Sequence, residues 1–125
     1  MTFKIILLFL SIFLSSTAIS QMNRSCFGTY KGVIEGYSIG KSNELIQIDP
    51  SAIEIQIMKG PIFIFIDDQK YEGTWKVLLE TKVYYLVEAK TNNLALERLM
   101  IYKREKKILR EGISPQPNVI LKKSR

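Results

Sequence analysis

The chain contains no histidine, and so lacks the side chain that most often serves as general base and metal ligand near neutral pH. Ser-His-Asp and Cys-His arrangements are thereby excluded. Its single cysteine, Cys26, excludes any disulfide within the chain. No P-loop and no G-x-G-x-x-G occurs; Gly32 and Gly36 flank Val33-Ile34-Glu35 in a β-rich run and mark a bulge or bend in a strand. Asp67-Asp68 is the one adjacent carboxylate pair. Two acids between apolar runs are turn formers, and the neighbouring residues do not supply the further oxygen ligands that Ca²⁺ requires. The sequence therefore offers no catalytic residues, no metal site and no cofactor site, and the expectation is a protein that is not an enzyme.

The N-terminus is informative. Lys4 precedes an apolar run of ten residues, Ile5 to Leu14, after which Ser15-Ser16-Thr17 turns the chain polar. This is the charged and apolar pattern of a secretory signal peptide. Ala18 and Ser20 match the small-x-small cleavage pattern, so residues 1–20 are expected to be removed and Gln21 to begin the mature chain. A bilayer-spanning helix needs about 20 apolar residues, and this run stops short. Lipidation at Cys26 is disfavoured because polar Asn23-Arg24-Ser25 precedes it. Burial of Cys26 near the first strand is the expected role. The location implied is secreted or periplasmic.

Residues 21–125 form one domain, large enough for a single modest core. Removing Lys4 with the leader takes the formal net charge from +6 to +5. The excess is local, with nine basic residues against Glu105 and Glu111 from Arg98 onward. Such a face can meet nucleic acid, an anionic membrane or an acidic protein. Export argues against nucleic acid, loss of the leader argues against membrane insertion, and solvated lysines on terminal strands also discourage edge pairing.

From Gly28 onward, short β-branched and aromatic runs alternate with turn residues every eight to twelve positions, the pattern of an antiparallel sandwich or barrel. The clearest unit is a hairpin in which Ala52 to Met58 and Pro61 to Ile66 flank a Lys59-Gly60 turn. This turn sets Ile53 opposite Ile66, Ile55 opposite Ile64 and Ile57 opposite Ile62, placing six isoleucines on one face. A four-residue turn at Asp67–Lys70 would then set Tyr71 opposite Ile66, Gly73 opposite Ile64 and Trp75 opposite Ile62, with Val77 and Leu79 continuing the face. A three-residue turn at Glu80-Thr81-Lys82 would add Val83, Tyr85, Val87 and Ala89, whereas a two-residue turn would turn Glu88 inward. Leu94 to Arg110 is expected to form strands with a tip at Glu105-Lys106, although Leu96, Leu99 and Met100 also suit a helix. Asn118 to Lys122 closes the chain as a last strand. The fold class expected is all-β, an antiparallel meander of eight or nine strands closing as a small barrel. The alternatives are a β-sandwich and an α+β fold with a helix near 94–110.

The opening Gly28-Thr29-Tyr30 and the meander after it resemble the small lipocalin-like, or calycin-type, barrels of exported proteins. In those a G-x-W near the first strand closes one end, and a basic residue from a late strand packs across the tryptophan. Tyr30 stands here where that tryptophan would be, and Gly73-Thr74-Trp75 carries the same letters in a middle strand. The resemblance implies a fold and leaves function open.

Phe63 and Phe65 point away from the isoleucine face, opposite Gln56 and Glu54, which makes their strand apolar on both sides. They are covered by another segment or form an exposed binding patch. Tyr71, Trp75 and Tyr85 fall on the inner face, as core or as the lining of a ligand cavity, since a barrel of about eight strands is either filled or holds one small ligand. Phe63, Phe65, Tyr71, Trp75 and Tyr85 are the candidate binding residues. The function expected is that of an exported binding domain for a small apolar ligand or a protein partner. The alternative is an inhibitor or immunity-type protein that caps a toxin or enzyme.

Overall fold

Alternation of β-branched and polar residues produces ten strands in the computed structural model, which describes residues 22–41, 43–92 and 95–124. The leader assigned to residues 1–20 and the cut before Gln21 lie outside the described residues. A short 3-10 helix, Arg24–Cys26, leads into β1 (Gly28–Ile34), followed by β2 (Tyr37–Ile39), β3 (Ile46–Ile48), β4 (Ser51–Ile57) and β5 (Pro61–Ile66). The chain continues through β6 (Gln69–Glu80), β7 (Tyr84–Thr91), β8 (Glu97–Tyr102), β9 (Lys107–Arg110) and β10 (Val119–Lys123). Eight of these close into an antiparallel barrel in the order β1-β10-β9-β8-β7-β6-β5-β4, and β2 with β3 forms a separate hairpin between β1 and β4.

The all-β barrel is as the strand pattern implied, and both alternatives fall. The barrel is continuous, where a sandwich would have two open sheets. The segment read as helix or strand is strand on both sides of a turn, because Leu99, Ile101 and Ile108 alternate inward and are fully buried. Residues 93 and 94 lie outside the described residues. The chain breaks between β1 and β2 at Glu35-Gly36, and the strands number ten where eight or nine were expected.

The isoleucine hairpin pairs as derived, Ile53 with Ile66, Ile55 with Ile64 and Ile57 with Ile62. The next turn is tighter than expected. Asp67 adopts a left-handed backbone with φ 52°, its amide donates to the Ala52 carbonyl at 3.0 Å, and its carboxylate accepts the Ala52 amide at 3.2 Å. Asp67-Asp68 thus makes the turn alone, and Ile62 faces Gly73, Ile64 faces Tyr71 and Ile66 faces Gln69. The shift is by two residues, so Tyr71, Gly73 and Trp75 keep their inward parity.

Between β6 and β7 the expectation fails in a different way. Thr81 and Tyr84 close a two-residue turn, the Thr81 amide donating to the Tyr84 carbonyl at 2.9 Å, and the register slips at a bulge between Val77 and Leu79. The extra residue, Leu78, does what a longer turn was expected to do. It keeps Tyr85, Val87 and Ala89 inward and Glu88 outward, while sending Leu79 and Val83, expected on the inner face, to the surface.

Gly73 marks the corner of β6, pairing with both β5 and β7. A Cβ there would collide with the Lys90 carbonyl. The core is the barrel interior, where Tyr30, Ile55, Ile57, Ile62, Ile64 and Leu121 are fully buried among other apolar side chains. Complete burial of one such side chain contributes about 1.5–3 kcal/mol. Ile55→Ala and Ile64→Ala are each expected to lower stability by about 2–5 kcal/mol, since a cavity would open between paired strands. Urea denaturation of the two variants checks this; a loss under about 1 kcal/mol in both would mean that the pair does not hold the core.

Candidate functional site

The two ends of the barrel differ in construction. One is sealed by the 3-10 helix, whose N-cap Asn23 leaves its backbone amide to donate to the Tyr85 hydroxyl at 3.2 Å. Cys26 is fully buried beneath it, as expected for this thiol. The Tyr30 hydroxyl donates to the Cys26 carbonyl at 2.8 Å. Two lysines grip the helix from outside: Lys123 Nζ donates to the Ser25 carbonyl at 2.8 Å and Lys106 Nζ to Ser25 Oγ at 2.7 Å. A third, Lys103, sits 4.7 Å over the Tyr85 ring and pairs with Glu80 at 2.7 Å. Three of the basic residues in the charge-rich last quarter are thereby part of a seal rather than a free face.

The opposite end carries a buried ion pair. Arg110 donates from Nε and Nη2 to the two carboxylate oxygens of Glu97 at 3.0 and 2.8 Å, and from Nη1 to Gln116 Oε1 at 2.8 Å. Both side chains are nearly inaccessible, at 5% and 6% exposure. A carboxylate held bidentately by a guanidinium is not a free base, so this pair is structural. Thr91 Oγ1, buried on β7, has no hydrogen-bond partner among the described residues. Sequence reading missed the pair because each residue was counted as a surface charge. The signal was parity, since Glu97 alternates with Leu99 and Ile101, and Arg110 with Ile108.

The five candidate binding residues do not come together. Tyr85 is buried in the core, and Tyr71 and Trp75 are half-buried against it. Trp75 packs edge-on to Phe27 with ring centroids 5.9 Å apart and donates from Nε1 to the Met58 carbonyl at 2.7 Å. Phe63 and Phe65 lie on the outer wall, half-buried, with Lys70 Nζ 4.9 Å from the Phe63 ring centroid. Phe65 also borders an open hollow of about 400 Å³ with Lys31, Ala52, Glu54 and Asp67. Lys31 and Glu54 pair across it at 3.7 Å. The outer wall thus holds a phenylalanine-edged depression with one cation and two carboxylates.

Among the described residues no three His, Cys, Asp or Glu side chains are placed to hold a metal ion, and no helix is long and apolar enough to cross a membrane. The chain matches no family model, no curated protein and no solved structure.

The sealed end has a pH signature. Burial, reinforced by the neighbouring Cys26, pushes the Tyr30 phenol far above its ordinary range, and the hydrogen bond that Lys103 donates to Glu80 raises the lysine above its usual value. Both groups hold their protons more tightly folded than unfolded. Their contribution is complete below the unfolded values, about 10, and is lost as pH rises through the folded ones. Stability should stay level from pH 7 to about 9 and fall above about pH 10. Tyr30→Phe should flatten part of that fall. Urea midpoints measured across the alkaline range check it; a fall of the same steepness in Tyr30→Phe would exclude Tyr30 as the source.

Proposed function

We propose that this chain is an exported, non-enzymatic binding domain, and that its partner is another protein met on the outer wall of the barrel. The observation that carries this reading is the contrast between the two surfaces of the wall. Inward, the side chains from Tyr30 through the isoleucines to Leu121 are fully buried against one another. Outward, Phe63 and Phe65 remain partly exposed, and Phe65 borders an open hollow. Apolar surface of this kind on a soluble domain marks an interaction site.

The lipocalin-like reading belongs here as well. Its support is the 3-10 helix ahead of Gly28-Thr29-Tyr30, the Tyr30 hydroxyl bonded to that helix, and Lys123 of the last strand reaching its Ser25 carbonyl. In the resemblance a G-x-W and a late-strand basic residue close one end, and here Tyr30 stands in place of the tryptophan and Lys123 is the basic residue of the last strand at that end. A second reading, an inhibitor that caps an enzyme or toxin, is favoured by the β2–β3 hairpin. It stands apart from the barrel sheet and exposes Ile39, Leu45 and Ile46 near its tip.

Phe63→Ser and Phe65→Ser should lower the melting temperature less than Ile55→Ala, because a partly exposed ring has less buried area to lose, while weakening capture of the partner. The mature chain recovered from its host with a cross-linked partner is the material for this comparison. Unfolding as severe as in the isoleucine variants would mean that the strand is buried on both faces. Undiminished cross-linking in both variants would remove the phenylalanine wall from the interface.

A further inference from the structure

The wall opposite the phenylalanines carries a second apolar feature, visible only once the register is known. Leu79 pairs with Leu86, Leu86 with Met100, Met100 with Leu109, and Leu109 with Ile120. One apolar residue from each of five neighbouring strands, β6 to β10, therefore lies in a single cross-strand row on the outside. Leu79 and Ile120 are 51% and 56% exposed. Between them the row is grooved, with Leu86, Met100 and Leu109 lining a hollow of about 300 Å³.

The rows on either side are charged, and they differ. Toward the end with the buried ion pair run Lys76, Glu88, Arg98 and Glu111. Signs alternate there, and Lys76 pairs with Glu88 at 3.6 Å, so this flank is balanced. Toward the sealed end Tyr84 faces Tyr102, Tyr102 faces Lys107, Lys107 faces Lys122 and Lys122 faces Lys31. Lys31 has Glu54 at 3.7 Å. Lys107 lies over the Tyr102 ring at 4.9 Å, and neither it nor Lys122 forms an ion pair among the described residues. Like charges placed directly opposite across strands destabilise a sheet, and here they border exposed apolar surface. Carboxylates arriving from outside would relieve the repulsion.

We propose that this row is a docking groove for an amphipathic helix of a partner protein, apolar along one ridge and acidic along the flank that meets Lys107 and Lys122. The inference deepens the reading of the chain as a protein-binding domain and rests on it, but uses a different wall from Phe63 and Phe65. The dimensions agree. Strands lie about 4.8 Å apart and a helix rises about 5.4 Å per turn, so a helix laid in the hollow sets successive ridge residues over β7, β8 and β9, while the closed barrel curves β6 and β10 away to its two sides. A lipid surface fits less well. The apolar row is one residue deep, and a bilayer carrying anionic headgroups would meet Glu88 and Glu111 on its other flank. A second copy of the chain would bring the same unpaired lysines.

Two synthetic helical peptides test this on the full mature protein, both with a leucine ridge, one carrying glutamates along a flank and the other lysines in the same places. In fluorescence anisotropy the acidic peptide should bind at least about tenfold more tightly, given the cost of opposed like charges at an interface. Leu109→Asp should abolish that binding. Lys107→Glu with Lys122→Glu should reverse the preference, a result that loss of folding cannot produce. Phe65→Ser should have no effect, which separates failure here from failure of the phenylalanine wall. Equal binding of the two peptides, binding of neither, or binding indifferent to Leu109→Asp would overturn the proposal. So would tighter association with phosphatidylglycerol vesicles than with the acidic peptide, or a dimer in sedimentation that Leu109→Asp dissolves.

Discussion

Everything in this fold depends on β1 being hydrogen-bonded on both sides. It pairs with β4 along its whole length and meets β10 through Tyr30 opposite Lys123 and Lys31 opposite Lys122, a seam lengthened by the Ser124 amide donating to the Thr29 carbonyl at 2.8 Å. Gly32 permits the approach, since a Cβ there would lie 2.8 Å from the Ile120 carbonyl oxygen. Without the seam, β1 and β10 would be open edges, which are templates for aggregation. With it, the row of inward side chains becomes an enclosed core, and the helix ahead of β1 is carried over one end as a plug. The lysines that hold this plug lie on or beside the strands that complete the seam, so closure of the wall and closure of the end are one event.

The interior is then lined by the chain's own buried side chains, and one end holds the buried pair of Arg110 and Glu97 with Gln116 beside it. Replacing only Arg110 would strand a buried carboxylate, the costly way to break such a pair. On the proposed reading, recognition falls to the outer wall. Two of its sides differ in character: a phenylalanine-edged hollow beside β1, β4 and β5, and an apolar groove among β6 to β10 flanked by lysines that form no ion pair among the described residues.

Much of the barrel was legible in the residues because strict alternation together with a short turn determines both pairing and face. Ile53 to Ile66 met both conditions and paired as derived. Legibility failed where a local device left no pattern of its own. Asp67 tightened a turn by adopting a left-handed backbone, and Leu78, apolar between apolar neighbours, hid the bulge that returned β7 to the expected parity. The outward direction of Phe63 and Phe65 followed from parity alone. The Leu79–Ile120 row could not be found that way, because each of its contacts joins different strands and a single misjudged turn breaks the chain of pairings. The ionic contacts of Glu97 and Arg110 were hidden for a related reason, since charge suggests solvent until the strand's phase is known.

The central claim is that this barrel is filled, and that whatever it binds is bound from outside. Xenon, a small apolar atom that enters dry cavities, tests it in a methyl NMR titration of the isotope-labelled protein. The account predicts that the methyl resonances of Ile55, Ile64 and Leu121 stay fixed under xenon pressure while those of Met100, Leu109 and Ile120 move. Concerted shifts of the inward isoleucine methyls would show a hollow lumen and contradict it.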